Sequence, residues 1–334
     1  MLWILLKLLL ALAGAFVVLL LAAGYFGFVY SLRRPRPGKK PGAPETDPDK
    51  LARNAAREKA KLRFFALEPE DVQLRSQDGT LLRGWFFPAP TPSRNLVIFA
   101  HGYHSDGSGE FADQLDFYRS ELGFHCLYPD HRAHGRSEGK TIGFGAPESR
   151  DLLDWARQYI ALLGDDIEIV LHGISMGGAT VTLCAAQDPP PQVKCIVADC
   201  GYTNAYEQIR HTMATEMHLR FPPLLWALAF WCRLLAGYSL RHDADPLGKL
   251  PNATRPILFI HGQADDFVPF AMGKRLFAAC PTEKDALWVP GAAHAIAHHT
   301  DTAGYEALVK SWHLRHLPPA AGLVACGAVA DGVM

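Results

Sequence analysis

From Leu2 to Tyr30 the chain is apolar almost without interruption, with Lys7 as its one charged residue. A helix rising ~1.5 Å per residue over this run exceeds the ~20 residues that cross a bilayer. Lys7 lies near one end, where its stem can carry the charge to the headgroups. Trp3, Tyr25 and Tyr30 stand where interfacial aromatics belong. The apolar run continues past the small residues Ala22, Ala23 and Gly24. Only Lys7 and the amino terminus supply basic charge ahead of it, so the pattern favours a retained anchor over a cleaved signal peptide. Pro35 to Pro48, "PRPGKKPGAPETDP", then reads as a linker spacing a body from the membrane. Asp47 and Pro48 predict a helix start, and the mixed-charge run to Lys61 predicts a solvated helix. "DVQLRSQDGTLLRGWFF" alternates apolar and polar residues on both sides of Asp78-Gly79, the pattern of a β-hairpin.

Past the hairpin the alternation gives way to short, continuously apolar runs. These are Leu96–Ala100, His125–Tyr128, Ile167–Leu171, Cys195–Ala198, Ile257–Ile260 and Ala286–Val289, most of them separated by longer helical stretches. Buried strands alternating with helices predict a mostly parallel sheet covered on both faces. No internal repeat is visible. Between Tyr202 and Leu250 the rhythm breaks at "RFPPLLWALAFWCRLLAGYSL", which Arg220, Pro222, Pro223 and Arg233 interrupt too often for a second membrane span. It can be a pair of core helices or an inserted lid. Its position among the ligand-facing loops of the predicted sheet favours the lid. The expected organisation is an anchor (1–30), a basic linker and juxtamembrane helix (31–63), a body (64–317, with the lid at 202–250) and a small-residue tail (318–334).

Composition sharpens this picture. With 49% hydrophobic and 20% charged residues, the 334-residue chain can bury a sizeable core, and its net charge of −1 offers no basic face for nucleic acid. The charge is uneven, because residues 31–63 hold eleven Lys/Arg against four Asp/Glu. Arg33, Arg34, Arg36, Lys39 and Lys40 directly follow the apolar run, and the positive-inside tendency places them, and the body with them, on the cytoplasmic side. The seven cysteines show no metal-ligand spacing, and Cys126, Cys184, Cys195 and Cys200 read as buried thiols.

The candidate chemistry centres on Gly173-Ile174-Ser175-Met176-Gly177. An apolar strand leads into this G-x-S-x-G stretch, and Gly178, Ala179 and Thr180 open a helix after it, the strand–turn–helix context of a nucleophile elbow. A serine held there needs small flanking residues, because strand and helix backbones meet closely, and the helix N-terminus presents N–H groups to a developing oxyanion. Downstream, Asp265 follows one strand and His294 another, giving the chain order Ser175, Asp265, His294. Asp266 and Asp199 compete with Asp265 as the orienting acid; His298 and His299 compete with His294 as the base; His172 reads as structural. The oxyanion donors are expected to be the main-chain N–H groups of Met176 and Tyr103, the latter beside the permissive Gly102.

These blocks together resemble the α/β-hydrolase superfamily, in particular its monoacylglycerol lipase and serine aminopeptidase-like branch. "HGYHSD", "YPDHRAHGRSEG", "HGISMGGAT", "ILFIHGQADDFVP" and "VPGAAHA" occur in the family's order across roughly residues 70 to 315. The resemblance implies the α/β-hydrolase fold, an α/β structure with a mostly parallel eight-stranded sheet, helices on both faces and an inserted helical lid. It assigns Ser175, Asp265 and His294 as the catalytic triad and treats Asp130–Ser137 as a structural loop. "DCGYTNAYEQIRH" ahead of the apolar segment also resembles membrane-anchored bacterial hydrolases. A serine at the elbow, where dehalogenase relatives carry a carboxylate, implies acyl chemistry. The expectation is thus a membrane-anchored serine hydrolase acting on a small acyl substrate through an acyl-enzyme, an ester or thioester before an amide, with no cofactor or metal. A peptidase, or a non-catalytic binder on the same scaffold, is the alternative. The oligomeric state stays open.

Overall fold

The computed structural model describes residues 1–34 and 48–317, so the core of the predicted linker and the predicted tail lie outside the described residues. The apolar amino-terminal run is one helix, α1 (Leu2–Leu32), and Pro48 opens α2 (Pro48–Ala66). The Asp78-Gly79 turn joins β1 (Glu70–Arg75) to β2 (Leu81–Phe87). Next come β3 (Asn95–Ala100), the short α3 (Gly107–Phe111), β4 (His125–Pro129) and α4 (Ala146–Leu163). They are followed by β5 (Glu168–Ile174), α5 (Met176–Ala185) and β6 (Val193–Asp199). The segment that interrupts the strand series folds as α6 (Ala205–Thr215), α7 (Pro222–Trp231) and the short α8 (Pro246–Lys249). β7 (Ile257–Gly262), α9 (Phe270–Ala279), β8 (Lys284–Val289), α10 (Ala297–Thr300) and α11 (Thr302–His316) complete the body.

The eight strands form one sheet in the order β1-β2-β4-β3-β5-β6-β7-β8. β1, β2 and β4 pair antiparallel, and from β4 through β8 every pairing is parallel. Each predicted apolar run forms a strand, because both sheet faces are covered; the side chains of both faces are almost all buried in the inner strands and half-buried along the edge strand β8. In β3, Leu96, Ile98 and Ala100 point into one core with Ile169 and Leu171 of β5. The alternate residues Val97, Phe99 and Val170 point into the other. This period-two partition follows from the pleat. Strand order reverses between β3 and β5, the switch point at which open α/β sheets leave a crevice beyond the strand ends. The architecture is the α/β-hydrolase fold.

α1 does more than protrude. Leu2–Leu19 is exposed, but Gly24, Phe28 and Leu32 recur every four residues and are buried. They belong to one helical face that packs on α7. A Cβ added at Gly24 would sit 2.5 Å from Ala227 Cβ, so glycine allows the two backbones to touch. The Trp231 indole N–H donates to Leu21 O at 2.8 Å, and Tyr25 meets the same indole edge-on at 5.4 Å. Past the helix end, Arg34 N–H donates to Lys140 O at 3.0 Å and Ile142 N–H to Leu32 O at 2.7 Å. The Arg34 guanidinium donates to Gly135 O at 2.7 Å and to Ser137 O. The last turns of α1 are thereby fastened to the body at two places.

Candidate active site

Ser175 follows β5 directly and caps α5. Its backbone sits at φ 60° and ψ −116°, a strained combination for a residue with a Cβ. Three close approaches hold it there. A Cβ at Gly177 would lie 1.7 Å from Ala100 O, one at Gly173 2.1 Å from Gly177 O, and one at Gly178 2.4 Å from Asp199 O. The Ser175 N–H donates to Asp199 O at 2.9 Å, which ties the turn to the neighbouring strand. His104, Cys200 and Ala295, each in a loop just past a strand end, also have positive φ. Such strain gathers where a fold must aim side chains into a crevice.

The loops after β7 and β8 bring their candidates to this serine. His294 Nε2 lies 2.8 Å from Ser175 Oγ, and His294 Nδ1 lies 2.8 Å from Asp265 Oδ2. The other oxygen, Asp265 Oδ1, accepts the Phe267 and Val268 N–H groups at 3.1 and 2.8 Å. His261 Nε2 stands 3.4 Å from Asp265 Oδ2 and 2.9 Å from Val268 O. Burial pushes the Asp265 carboxyl up. Hydrogen bonds from His261 and His294, the His294 charge and the Val268 N–H outweigh it and hold the group below the ordinary carboxylate range. An ionised acid thus faces the imidazole edge opposite the serine.

The rival residues have other partners. Asp266 is exposed, and its main-chain oxygen meets His211 Nε2 at 2.7 Å. Asp199 accepts from Tyr305 Oη at 3.2 Å, and burial raises its carboxyl to about 6. His298 and His299 stand against Asp113 at 3.6 and 3.2 Å, with His298 also 3.0 Å from Glu306. His172 is buried between the Tyr118 and Tyr305 hydroxyls at 2.8 and 2.9 Å. In the loop after β3, Gly102 brings the backbone against the serine, since a Cβ there would be 3.5 Å from Ser175 Cβ. Tyr103 follows it, with its hydroxyl donating to Ser31 O at 2.8 Å, while Met176 is the first residue of α5. The Asp130–Ser137 loop is internally braced. Asp130 accepts from Gly107 and Arg136 N–H, and Arg132 forms a bidentate pair with Asp151 at 2.7 and 2.6 Å.

Two clefts meet at Ser175. The larger, about 1060 Å³, runs between the end of α1 and α6. Its walls include Val29, Phe144, Met176, Ile209, Met213 and Phe267, and Arg33, Arg34 and Lys140 stand at one rim, with Glu216 on the α6 side. The smaller, about 430 Å³, includes Asn54, Arg57 and Glu110 among its lining residues. There Arg57 approaches Glu110 at 3.7 Å. Sequence reasoning did not anticipate that Val29, Tyr30, Ser31, Arg33 and Arg34 would line the larger cleft. The signal was present as the four-residue spacing of Gly24, Phe28 and Leu32. In a run where nearly every position is apolar, that spacing has no contrast to stand out against.

Residues 142–319 match the prolyl oligopeptidase family. Among curated proteins, the uncharacterised protein YqkD of Bacillus subtilis is 28% identical over 253 residues, covering 75% of this chain and 80% of its own. The lysophosphatidylserine lipase ABHD12 of Gallus gallus is 25% identical over 206 residues, covering 60% of this chain and 51% of the lipase. Among solved structures, the Pyrococcus furiosus esterase Pf2001 superposes with a TM-score of 0.62 at 20% identity, covering 86% of this chain and 98% of the esterase.

Proposed function

The chain belongs to the prolyl oligopeptidase family of serine hydrolases, and on that premise we propose that it hydrolyses the acyl ester of a lipid-like amphiphile. Ser175 attacks the acyl carbon, and His294 accepts its proton and returns it to the leaving alcohol. Asp265 fixes the imidazole tautomer and balances its charge. The Tyr103 and Met176 N–H groups hold the oxyanion, and water releases the acid from an acyl-enzyme. α1 anchors the body to the membrane, with the body on the cytoplasmic side, and the 202–250 segment roofs the cleft as a lid.

One observation carries this reading: Ser175 opens into a cleft of about 1060 Å³ whose walls are largely apolar and whose one rim is cationic. That lining suits an acyl chain joined to an anionic head, and the lysophosphatidylserine lipases among the relatives support it. The family name favours a second reading, a peptidase. A peptidase recognising a free α-amine needs an available carboxylate near the serine. Glu110, on the smaller cleft, already faces Arg57, and Glu216 on the larger one shares that space with Arg33, Arg34, Lys140 and apolar walls, so the ester reading is the better supported. In a test with a fluorophosphonate probe and a panel of monoacyl esters, thioesters and peptide anilides, wild type labels and turns over esters fastest. Ser175→Ala loses labelling, and Asp265→Asn drops kcat by ~10⁴. Wild-type preference for anilides would transfer the assignment to the peptidase.

A further inference from the structure

α7 has two faces. Leu225 and Leu228 are buried against the body and α1, whereas Trp226, Phe230 and Leu234 are 58%, 49% and 60% exposed. Their four-residue spacing, running from α7 into the turn after it, places them in one stripe along the outside of the helix. Leu235 and Phe221 extend this apolar surface at 50% and 41% exposure. Scattered apolar residues need no explanation, but a contiguous stripe marks a surface that meets an apolar partner. Two further observations identify the partner. The stripe lies on the helix that packs along Leu21 to Phe28 of α1, the point at which α1 stops being exposed on all sides. The exposed stretch Leu2–Leu19 spans ~27 Å at the ordinary helical rise, close to the ~30 Å hydrocarbon core. α7 therefore sits at the level where α1 leaves the bilayer. Arg220, just ahead of this surface in sequence, and Arg233, within its span and 3.5 Å from Asp243, suit the headgroup zone.

We infer that the outer face of α7 is seated in the bilayer interface beside α1, and that the larger cleft takes its acyl substrate sideways from that leaflet. The path is continuous in sequence and space. On α1, Phe28, on the face that packs toward α7, is followed at once by Val29 on the cleft wall, and about one turn further come Arg33 and Arg34 at its rim. An acyl chain moving along α1 passes from lipid to cleft without crossing water, while the rim cations meet its head. This rests on the ester-hydrolase reading, and the test separates the two.

The full chain is reconstituted in phosphatidylcholine vesicles with and without acyl-chain bromines, and tryptophan quenching is compared for wild type, Trp226→Phe and Phe230→Glu. Quenching that is lost in Trp226→Phe places residue 226 in the membrane. Turnover is then measured on a long-chain monoacyl lipid in the vesicles and on a short water-soluble ester. The expected result is that Phe230→Glu lowers lipid turnover by tenfold or more relative to soluble-ester turnover. Equal quenching in wild type and Trp226→Phe, or equal effects on both substrates, overturns the inference. Loss of self-association in Phe230→Glu, with unquenched Trp226, overturns it in favour of a second copy of this chain on the stripe. A wild type that is quenched through Trp226 but neither labels with fluorophosphonate nor cleaves either ester keeps the membrane seat and overturns the hydrolase reading and the entry route.

Discussion

Asp199 shows how much depends on a single side chain's surroundings. It ends β6, next to the elbow strand, and from sequence it competes with Asp265 for the same role. Both are buried carboxyls at strand ends, and what separates them is partners. Asp265 collects two main-chain N–H groups and two imidazoles, whereas Asp199 has the Tyr305 hydroxyl on one oxygen. In the sequence, chain order and the family resemblance favour Asp265, but the partners themselves are not legible there, because they come from loops that only the fold brings together. The contrast has a pH signature. Burial raises Asp199 to about 6 from the ordinary 3.8, and buried Glu148, at the start of α4, to about 7 from 4.5. At pH below ~4 folded and unfolded chains both hold these protons. As pH rises through 4 to 7, the unfolded chain releases them first, so the folded state binds more protons and stability falls with rising pH. This falling share runs against a rising one from buried His131, His134, His172 and His313, whose imidazoles burial holds below the ordinary 6.5. It is therefore read as a difference: between pH 4 and 6 the melting temperature of wild type minus that of Asp199→Asn should fall with rising pH, as thermal melts in half-unit pH steps would show.

At the scale of elements, most of the architecture was legible. The apolar runs became strands because a parallel sheet covered on both faces must be apolar on both, and the hairpin followed from its Asp78-Gly79 turn. The elbow was legible for a related reason, since Gly173 and Gly177 mark places where backbones touch. Gly177→Ala puts a methyl 1.7 Å from Ala100 O, with main chain on both sides and no flexible side chain to yield. This substitution should destabilise by ~3 kcal/mol or more in denaturant titrations and abolish fluorophosphonate labelling, whereas Gly14→Ala, with open space around it, should do neither. The helices at 202–250 were less legible. Their apolar residues serve three surroundings at once: the cleft, α1 and an exposed stripe. A pattern with three apolar directions has no polar face from which to read orientation.

At the scale of the whole molecule, the amino-terminal helix and the body are not separable parts. Phe28 and Leu32 are 2% and 0% exposed, and burying such side chains is worth ~1.5–3 kcal/mol each. Removing residues 1–20 should leave the melting temperature of the body nearly unchanged. Removing 1–34 should lower it by several degrees and widen the cleft, read as faster labelling by bulky fluorophosphonates but weaker retention of long acyl chains. The bond from Trp231 to Leu21 and the ties from Leu32 and Arg34 to the body couple α1 to the cleft. On the proposed anchoring, a bilayer thinner than the exposed part of α1 tilts the helix and a thicker one is drawn in around it, and a tilt would carry the cleft wall with it. Lipid thickness then acts as a dial on substrate fit. In vesicles of graded acyl length, the preferred substrate chain should shift with the host bilayer, and with α1 uncoupled by Trp231→Phe and Arg34→Ala that shift should shrink.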